Sequence, residues 1–191
     1  MTYDTLGNVL TIKDPKGNNS SFEYDSHNNL TKTTSTQPFS YITQYKYDAN
    51  DNLIQLDRQT DDTNNPWQST HYTYDVLDRL QTIKDELDNT TNFSYDANGN
   101  RSQIQDAEQN STNYEYDSRN LLSKVTDTLG NTTEYNYDEN GNLKEIKDAL
   151  ANITTYTYDD FDRLLQTTYA NGSSETYAYD ANSNLISKTH P

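Results

Sequence analysis

The chain has 191 residues, of which only 30% are hydrophobic, and its 30 acidic against 14 basic side chains leave a net charge of -16. So acidic a surface makes nucleic acid and anionic membranes poor partners, because both reward Lys and Arg. There is no cysteine, so neither a disulfide framework, a thiolate metal site nor a thiol nucleophile is available.

Leu, Ile, Val and Phe together make up only about one residue in six, which alone reads as disorder. The 17 tyrosines oppose that reading. Each ring is a large apolar surface that wants cover, and its hydroxyl wants a partner. Tyrosine is therefore the expected core. No apolar run is long enough to span a membrane, and the opening "MTYDTLGNVL" lacks the charged-then-apolar order of a signal peptide.

In chain order, a Tyr-Asp pair keeps returning. It begins with Tyr3 and Asp4, then Tyr24 and Asp25 behind Phe22, then Tyr45, Tyr47 and Asp48. Next come Tyr72, Tyr74 and Asp75; Phe93, Tyr95 and Asp96; and Tyr114, Tyr116 and Asp117. The series closes with Tyr135, Tyr137 and Asp138; Tyr156, Tyr158 and Asp159; and Tyr177, Tyr179 and Asp180. The Asp-to-Asp spacings are 21, 23 and 27, then 21 throughout, which gives nine units over residues 1–191 in a single array. A second Asp lies midway in most units, at Asp14, Asp85, Asp106, Asp127 and Asp148.

Asp accepts hydrogen bonds from backbone N–H groups just ahead of it, and a Gly or Asn two or three residues later tolerates positive φ. Turn signals every 10 or 11 residues around short runs rich in Tyr, Thr, Ile and Leu predict strands joined by tight turns. Each repeat reads as a β-hairpin, and the chain as an all-β, long antiparallel sheet. Because side chains alternate along a strand, Tyr-x-Tyr puts two rings on one face. The Leu five residues after each Asp (Leu30, Leu53, Leu80, Leu122, Leu143, Leu164 and Leu185) would fill between them, with Val9 and Arg101 in the same slot. Ile83, Ile104, Val125 and Ile146 come three positions later. Either a bulge returns them to the Tyr side or both faces are partly covered. A flat ribbon of this width should twist and coil, laying its Tyr/Leu face on another layer or around a cavity. Its open edges predict self-association. The period stretches at 31–41 and 54–70, two longer connections that each carry a Pro; the second holds the only Trp, Trp67, as a candidate contact loop or a side chain folded back on the sheet.

Segments such as "FEYDSHNNL", "YKYDANDNL", "YTYDVLDRL" and "YEYDSRNLL" resemble the YD-repeat proteins, the Rhs/teneurin group. The resemblance runs the length of the chain. It implies a β-strip that spirals into a barrel-like shell, which in bacterial Rhs and Tc-type toxins encloses a toxin polypeptide. In teneurins the strip belongs to an adhesion ectodomain, and other bacterial members are wall-associated. A secreted or cell-surface location follows from the same resemblance. Nothing here is similar to the Asp-Pro cleavage core that closes the toxin shells, so the chain reads as a section of shell flanked by neighbouring YD repeats of a larger parent.

Chemistry is sparse. Most carboxylates sit at turn positions repeated nine times, which disfavours a paired-carboxylate hydrolase, and no enzyme or cofactor is expected. His27, His71 and His190 occupy unrelated repeat positions, with no metal-ligand spacing. "DANDN" (48–52), "DANGN" (96–100), "DENGN" (138–142) and "DANSN" (180–184) mimic the start of a calcium loop. The Glu such a loop needs at position 12 is replaced by Gln59, Ala107, Ala149 and Pro191, which favours plain turn-capping and no metal. Asn89, Asn110, Asn131 and Asn152 read as glycosylation acceptors only in a eukaryotic secretory pathway; a turn Asn followed by a strand Thr is the simpler and preferred reading. The leading expectation is a structural scaffold; the alternative is a carbohydrate-binding or adhesion module that stacks glycans on paired Tyr rings.

Overall fold

The computed structural model describes residues 1–35, 41–61, 63 and 66–190. It divides into two compact units: Met1–Phe93 with Asp106–Glu108, and Ser94–Gln105 with Gln109–Pro191. The first unit carries β1 (Thr2–Tyr3), β2 (Val9–Lys13), β3 (Asn19–Tyr24), β4 (Leu30–Ser35), β5 (Ile42–Tyr47), β6 (Leu53–Gln59), β7 (Trp67–Tyr74), β8 (Leu80–Lys84) and the start of β9 (Thr90–Tyr95). The second carries the end of β9, then β10 (Arg101–Gln105), β11 (Ser111–Tyr116), β12 (Leu122–Thr126), β13 (Thr132–Tyr137) and β14 (Leu143–Lys147). It continues through β15 (Ile153–Tyr158), β16 (Leu164–Thr168), β17 (Ser174–Tyr179) and β18 (Leu185–Thr189). Among the described residues every element is a strand, and within each unit strands pair antiparallel with their neighbours in sequence. The all-β hairpin array read from the Tyr-Asp period is the observed fold.

The hairpins alternate between two kinds. In the Tyr-Asp hairpins the register slips by one residue beside the turn. Tyr137 lies opposite Leu143, but Asn136 lies opposite Glu145, so Lys144 is the extra residue of a bulge. The same slip recurs at Tyr24, Tyr47, Tyr74, Tyr116, Tyr158 and Tyr179. Its consequence settles the question left open by strict alternation. Ile146 falls opposite Tyr135, Val125 opposite Tyr114 and Ile83 opposite Tyr72. Directly opposed residues share a face, so the bulge returns these aliphatic side chains to the tyrosine side. The other hairpins, such as β12–β13, run without a slip.

Tyrosine covers this face without forming a closed core. Among the described residues only Leu56, Asp57 and Thr167 are buried, and no large side chain is wholly enclosed. The paired rings are half-buried, while the residue between them, such as Glu115, Asn136 or Thr157, is exposed. Cover for each ring comes from cross-strand neighbours in a single layer. The two longer connections fall partly on residues outside those described (36–40, 62, 64 and 65). Most of the extra length at 54–70 is strand: β6 reaches Gln59, and Trp67 opens β7 opposite it. Trp67 is thus a strand residue on the sheet and not part of a connecting loop.

Substituting Ile146 by Ala should destabilise the fold by about 1–2 kcal/mol, at or below the low end of the range for truncating a fully buried aliphatic side chain, because the site is only half-covered. Replacing the bulged, exposed Lys144 by Ala should change stability by less than about 0.5 kcal/mol. Urea unfolding of both variants checks the pair.

Candidate functional site: the turn edge and the tyrosine face

Asp at the head of a Tyr-Asp turn acts as a three-point clamp. In the turn 48–52 the Asp48 N–H donates to the Asn52 carbonyl at 2.9 Å, and the Asp51 N–H donates to the Asp48 carbonyl at 3.2 Å. Asp48 Oδ1 accepts from the N–H groups of Asn50 and Asn52, both at 2.9 Å, and Oδ2 accepts from Asn52 Nδ2 at 3.2 Å. This is a type I turn followed by a left-handed residue, the usual three-residue hairpin loop. The residue three after the Asp has positive φ in all nine turns, as Gly7, Asn28, Asp51, Asp78, Gly99, Asn120, Gly141, Asp162 and Ser183. Non-Gly residues in that region are mostly Asn or Asp, whose short polar side chains tolerate it. The second turns repeat the clamp at Asp14, Asp85, Asp127 and Asp148.

The clamp fixes the charge state. For Asp96 the amide of Asn100 contributes most to a lowered pKa, with N–H groups of Asn100, Asn98 and Gly99 adding to it against partial desolvation. For Asp75 the leading cause is the Arg79 guanidinium, and for Asp48 the Asn52 N–H. These carboxylates therefore have their lone pairs committed to turn donors. In the calcium-like segments the third- and fifth-position Asn side chains act as donors: Asn98 and Asn100 give Nδ2–H to Asn120 Oδ1, at 3.0 and 2.8 Å. Amide nitrogens turned toward neighbours suit turn-capping and not cation binding.

The tyrosine before each Asp reaches backwards. The backbone ladder between β12 and β13 stops at Lys124 and Glu134, and beyond it the Tyr137 hydroxyl donates to the Leu122 carbonyl at 2.9 Å. Tyr24 bonds Val9, Tyr47 bonds Leu30 and Tyr74 bonds Leu53 in the same way. So do Tyr116 with Arg101, Tyr158 with Leu143 and Tyr179 with Leu164. A phenol thus closes the open end of the ladder between one repeat and the next. Burial, then the charge of Asp117 and the neighbouring Tyr135, push the Tyr137 hydroxyl above its ordinary pKa, so it stays a donor. Tyr3 is different: its hydroxyl lies 3.4 Å from Met1 Sδ.

Two departures were not foreseen. Tyr169 stands where the other 21-residue units have Asp, and it lies with Tyr177 and Lys188 around Glu175, which replaces the Thr or Ser of other repeats. The Tyr177 hydroxyl donates to Glu175 Oε2 at 2.7 Å and Lys188 Nζ lies 3.1 Å from Oε1. These contacts, led by Tyr177 and then Lys188, lower the Glu175 pKa to about 2. On the face opposite the tyrosines, buried Asp57 accepts from Gln55 Nε2 at 2.8 Å and Ser69 Oγ at 2.6 Å. Burial alone would raise its pKa, but those bonds and the charges of Lys46 and His71 outweigh it. The sequence signal for both clusters is a break in the repeat consensus: a carboxylate where other units carry a neutral or basic residue.

The RHS repeat family model matches residues 3–38, 74–112, 95–132, 116–152 and 137–174. The chain belongs to the RHS repeat family. No curated protein matches it. Among solved structures, this RHS repeat chain is similar to the TcdB2-TccC3-Cdc42 crystal structure, with a TM-score of 0.67 at 16% identity over 97% of its length. It is also similar to TcdB2-TccC3 (TM-score 0.64, 16% identity, 98% of this chain) and to the Tc holotoxin pore of Photorhabdus luminescens carrying TccC3-D651A (0.63, 17%, 98%). It spans 12%, 13% and 12% of those three chains. At such identities the likeness establishes a shared fold.

Tyr137→Phe should cost about 1–2 kcal/mol in urea unfolding, because it leaves the Leu122 carbonyl without its donor while keeping the ring. Folded turn aspartates titrate below their ordinary value near 3.8, so the stability they contribute is present above that value and is lost as pH falls through the lowered ones. Glu175 extends the loss down to about pH 2. The urea midpoint should therefore hold from pH 7 to about 5 and fall steeply below about 4. A midpoint unchanged down to pH 2 would contradict the clamp.

Proposed function

We propose that the chain is a section of the wall of an Rhs-type β-shell, with nine hairpin repeats over residues 1–191 acting as one array around a polypeptide cargo. One observation carries this reading: the Tyr-Asp pair spends both side chains on cohesion. Asp closes its own hairpin and Tyr ties it to the one before. A residue pair used this way in repeat after repeat builds a surface, and its carboxylates are held ionised and occupied, which disfavours acid–base catalysis. The chain is read as non-enzymatic, and the aspartates and tyrosines of the motif as structural residues.

The glycan-binding alternative gains nothing from the geometry. Stacking on paired rings needs free aromatic faces, whereas these rings are half-covered and the second hydroxyl of each pair, as at Tyr137 and Tyr158, is directed to a backbone carbonyl. A secreted or surface location agrees with membership of a family that includes toxins and adhesion proteins.

Electron cryomicroscopy of the intact gene product containing residues 1–191 tests the proposal. The expected image is a hollow particle whose wall includes these hairpins and whose interior holds additional density. A solid rod or an extended filament without an enclosed volume would overturn it.

A further inference from the structure

Three Asn-Gly steps occur in the chain, at 98–99, 140–141 and 171–172. Each puts its Gly at the left-handed position of a turn, with φ of 90°, 90° and 83°. The step is reactive by itself. The backbone nitrogen of the residue after an Asn attacks the Asn Cγ, expels the side-chain nitrogen as ammonia and closes a five-membered imide. Gly, without a Cβ, hinders that attack least. Water then opens the imide at either carbonyl and leaves Asp or isoaspartate. In sum, one amide and one water become one carboxylate and one ammonium ion.

A closed turn resists this, because the attacking nitrogen is engaged. Gly99, Gly141 and Gly172 each donate their N–H to the carbonyl at the head of the turn, at 3.1, 3.2 and 2.8 Å. The reaction therefore passes through local opening, and the bonds that hold the turn shut govern its rate.

The three turns are not held alike. Asp96 Oδ1 accepts from the N–H groups of Asn98 and Asn100, and Oδ2 from Asn100 Nδ2. Asp138 accepts from both the N–H and the Nδ2 of Asn142. The reacting side chains are tied as well. Asn98 Nδ2 donates to Asn120 Oδ1 at 3.0 Å, and Asn140 Nδ2 to Asp162 Oδ1 at 2.8 Å.

At 169–173 the head residue is Tyr169, whose phenol bonds Glu175 instead of its own turn. The backbone bonds from Tyr169 N–H to the Ser173 carbonyl, at 2.9 Å, and from Gly172 close this turn without a head carboxylate. Asn171 is exposed, and nothing stands within 4 Å of where a Cβ on Gly172 would be. Its side chain bonds within its own turn: Oδ1 accepts from the N–H and the Oγ of Ser173, at 2.9 and 2.7 Å. Donors on that oxygen draw electron density from Cγ and stabilise the oxyanion that forms as the nitrogen adds.

We propose that Asn171 is a modification site, deamidating spontaneously to Asp and isoaspartate ahead of Asn98 and Asn140. Each event adds one negative charge to the turn between β16 and β17. Isoaspartate also lengthens the main chain there by one methylene.

The full chain, incubated in mildly alkaline buffer and followed by peptide mapping with mass spectrometry, supplies the test. Enzymatic carboxyl methylation counts the isoaspartate. A parallel sample in urea gives the rates set by sequence alone, which should lie within a few-fold of one another. In the folded chain Asn171 should lead Asn98 and Asn140 by about tenfold or more, since each clamp bond is worth several-fold in the population of the open turn. Tyr169→Asp combined with Ser173→Asn writes the 96–100 sequence into this turn and should slow Asn171 by about tenfold. Asn140, read in the same digest at its folded rate, shows that the double variant keeps its fold. An Asn171 rate no higher than those of Asn98 and Asn140 in the folded chain would overturn the proposal. So would a rewritten turn that reacts as fast as the original.

Discussion

The hydroxyl of one tyrosine, given to a backbone carbonyl of the preceding repeat, is the bond on which this architecture depends. A β-hairpin of a dozen residues is marginal in water by itself. It becomes part of a stable sheet only if each hairpin is fastened to its neighbour, and the ladder between repeats is short, ending at pairs such as Lys124 and Glu134. Beyond that pair a carbonyl would face an open seam. The phenol fills it and brings along an apolar ring that shields the seam from water. One side chain supplies both the bond and the cover, which is how a chain so poor in aliphatic residues holds together.

The adjacent aspartate makes that fastening reproducible. By closing the turn through Oδ1 and Oδ2 it fixes where the strand reverses, and the bulge after it decides which face each later side chain meets. Lys144 turns outward and Ile146 inward because of that one extra residue. Tyr and Asp are therefore neighbours in sequence for a geometrical reason: the residue that sets the turn must directly follow the residue that reaches back.

Much of this could be read before any coordinates. The 21-residue period, the strand and turn assignments and the shared face of the Tyr-x-Tyr rings follow from turn chemistry and two-residue alternation. The bulge could not be read, because alternation alone allows Ile146 on either face and only the pairing register chooses. Trp67 was misplaced for a related reason. A Pro and a polar run suggest a loop, yet cross-strand pairing with Gln59 extended the strand beyond it. The degree of cover was not legible either: aromatic abundance marks tyrosine as the core, but only the cross-strand pairing shows each ring half-covered. The side-chain links between turns were hidden because their partners stand about 20 residues apart and belong to different repeats.

The reach of those links has a mechanical side. Within each unit, among the described residues, every tie joins a hairpin to the one next to it in sequence, and none spans several repeats. Tension applied at the two ends of either unit would therefore load its hairpins in series and open each junction bond by bond, as a zip fastener opens. Such a strip would yield by stepwise peeling at modest force, with each detached hairpin able to snap back independently of those still in place.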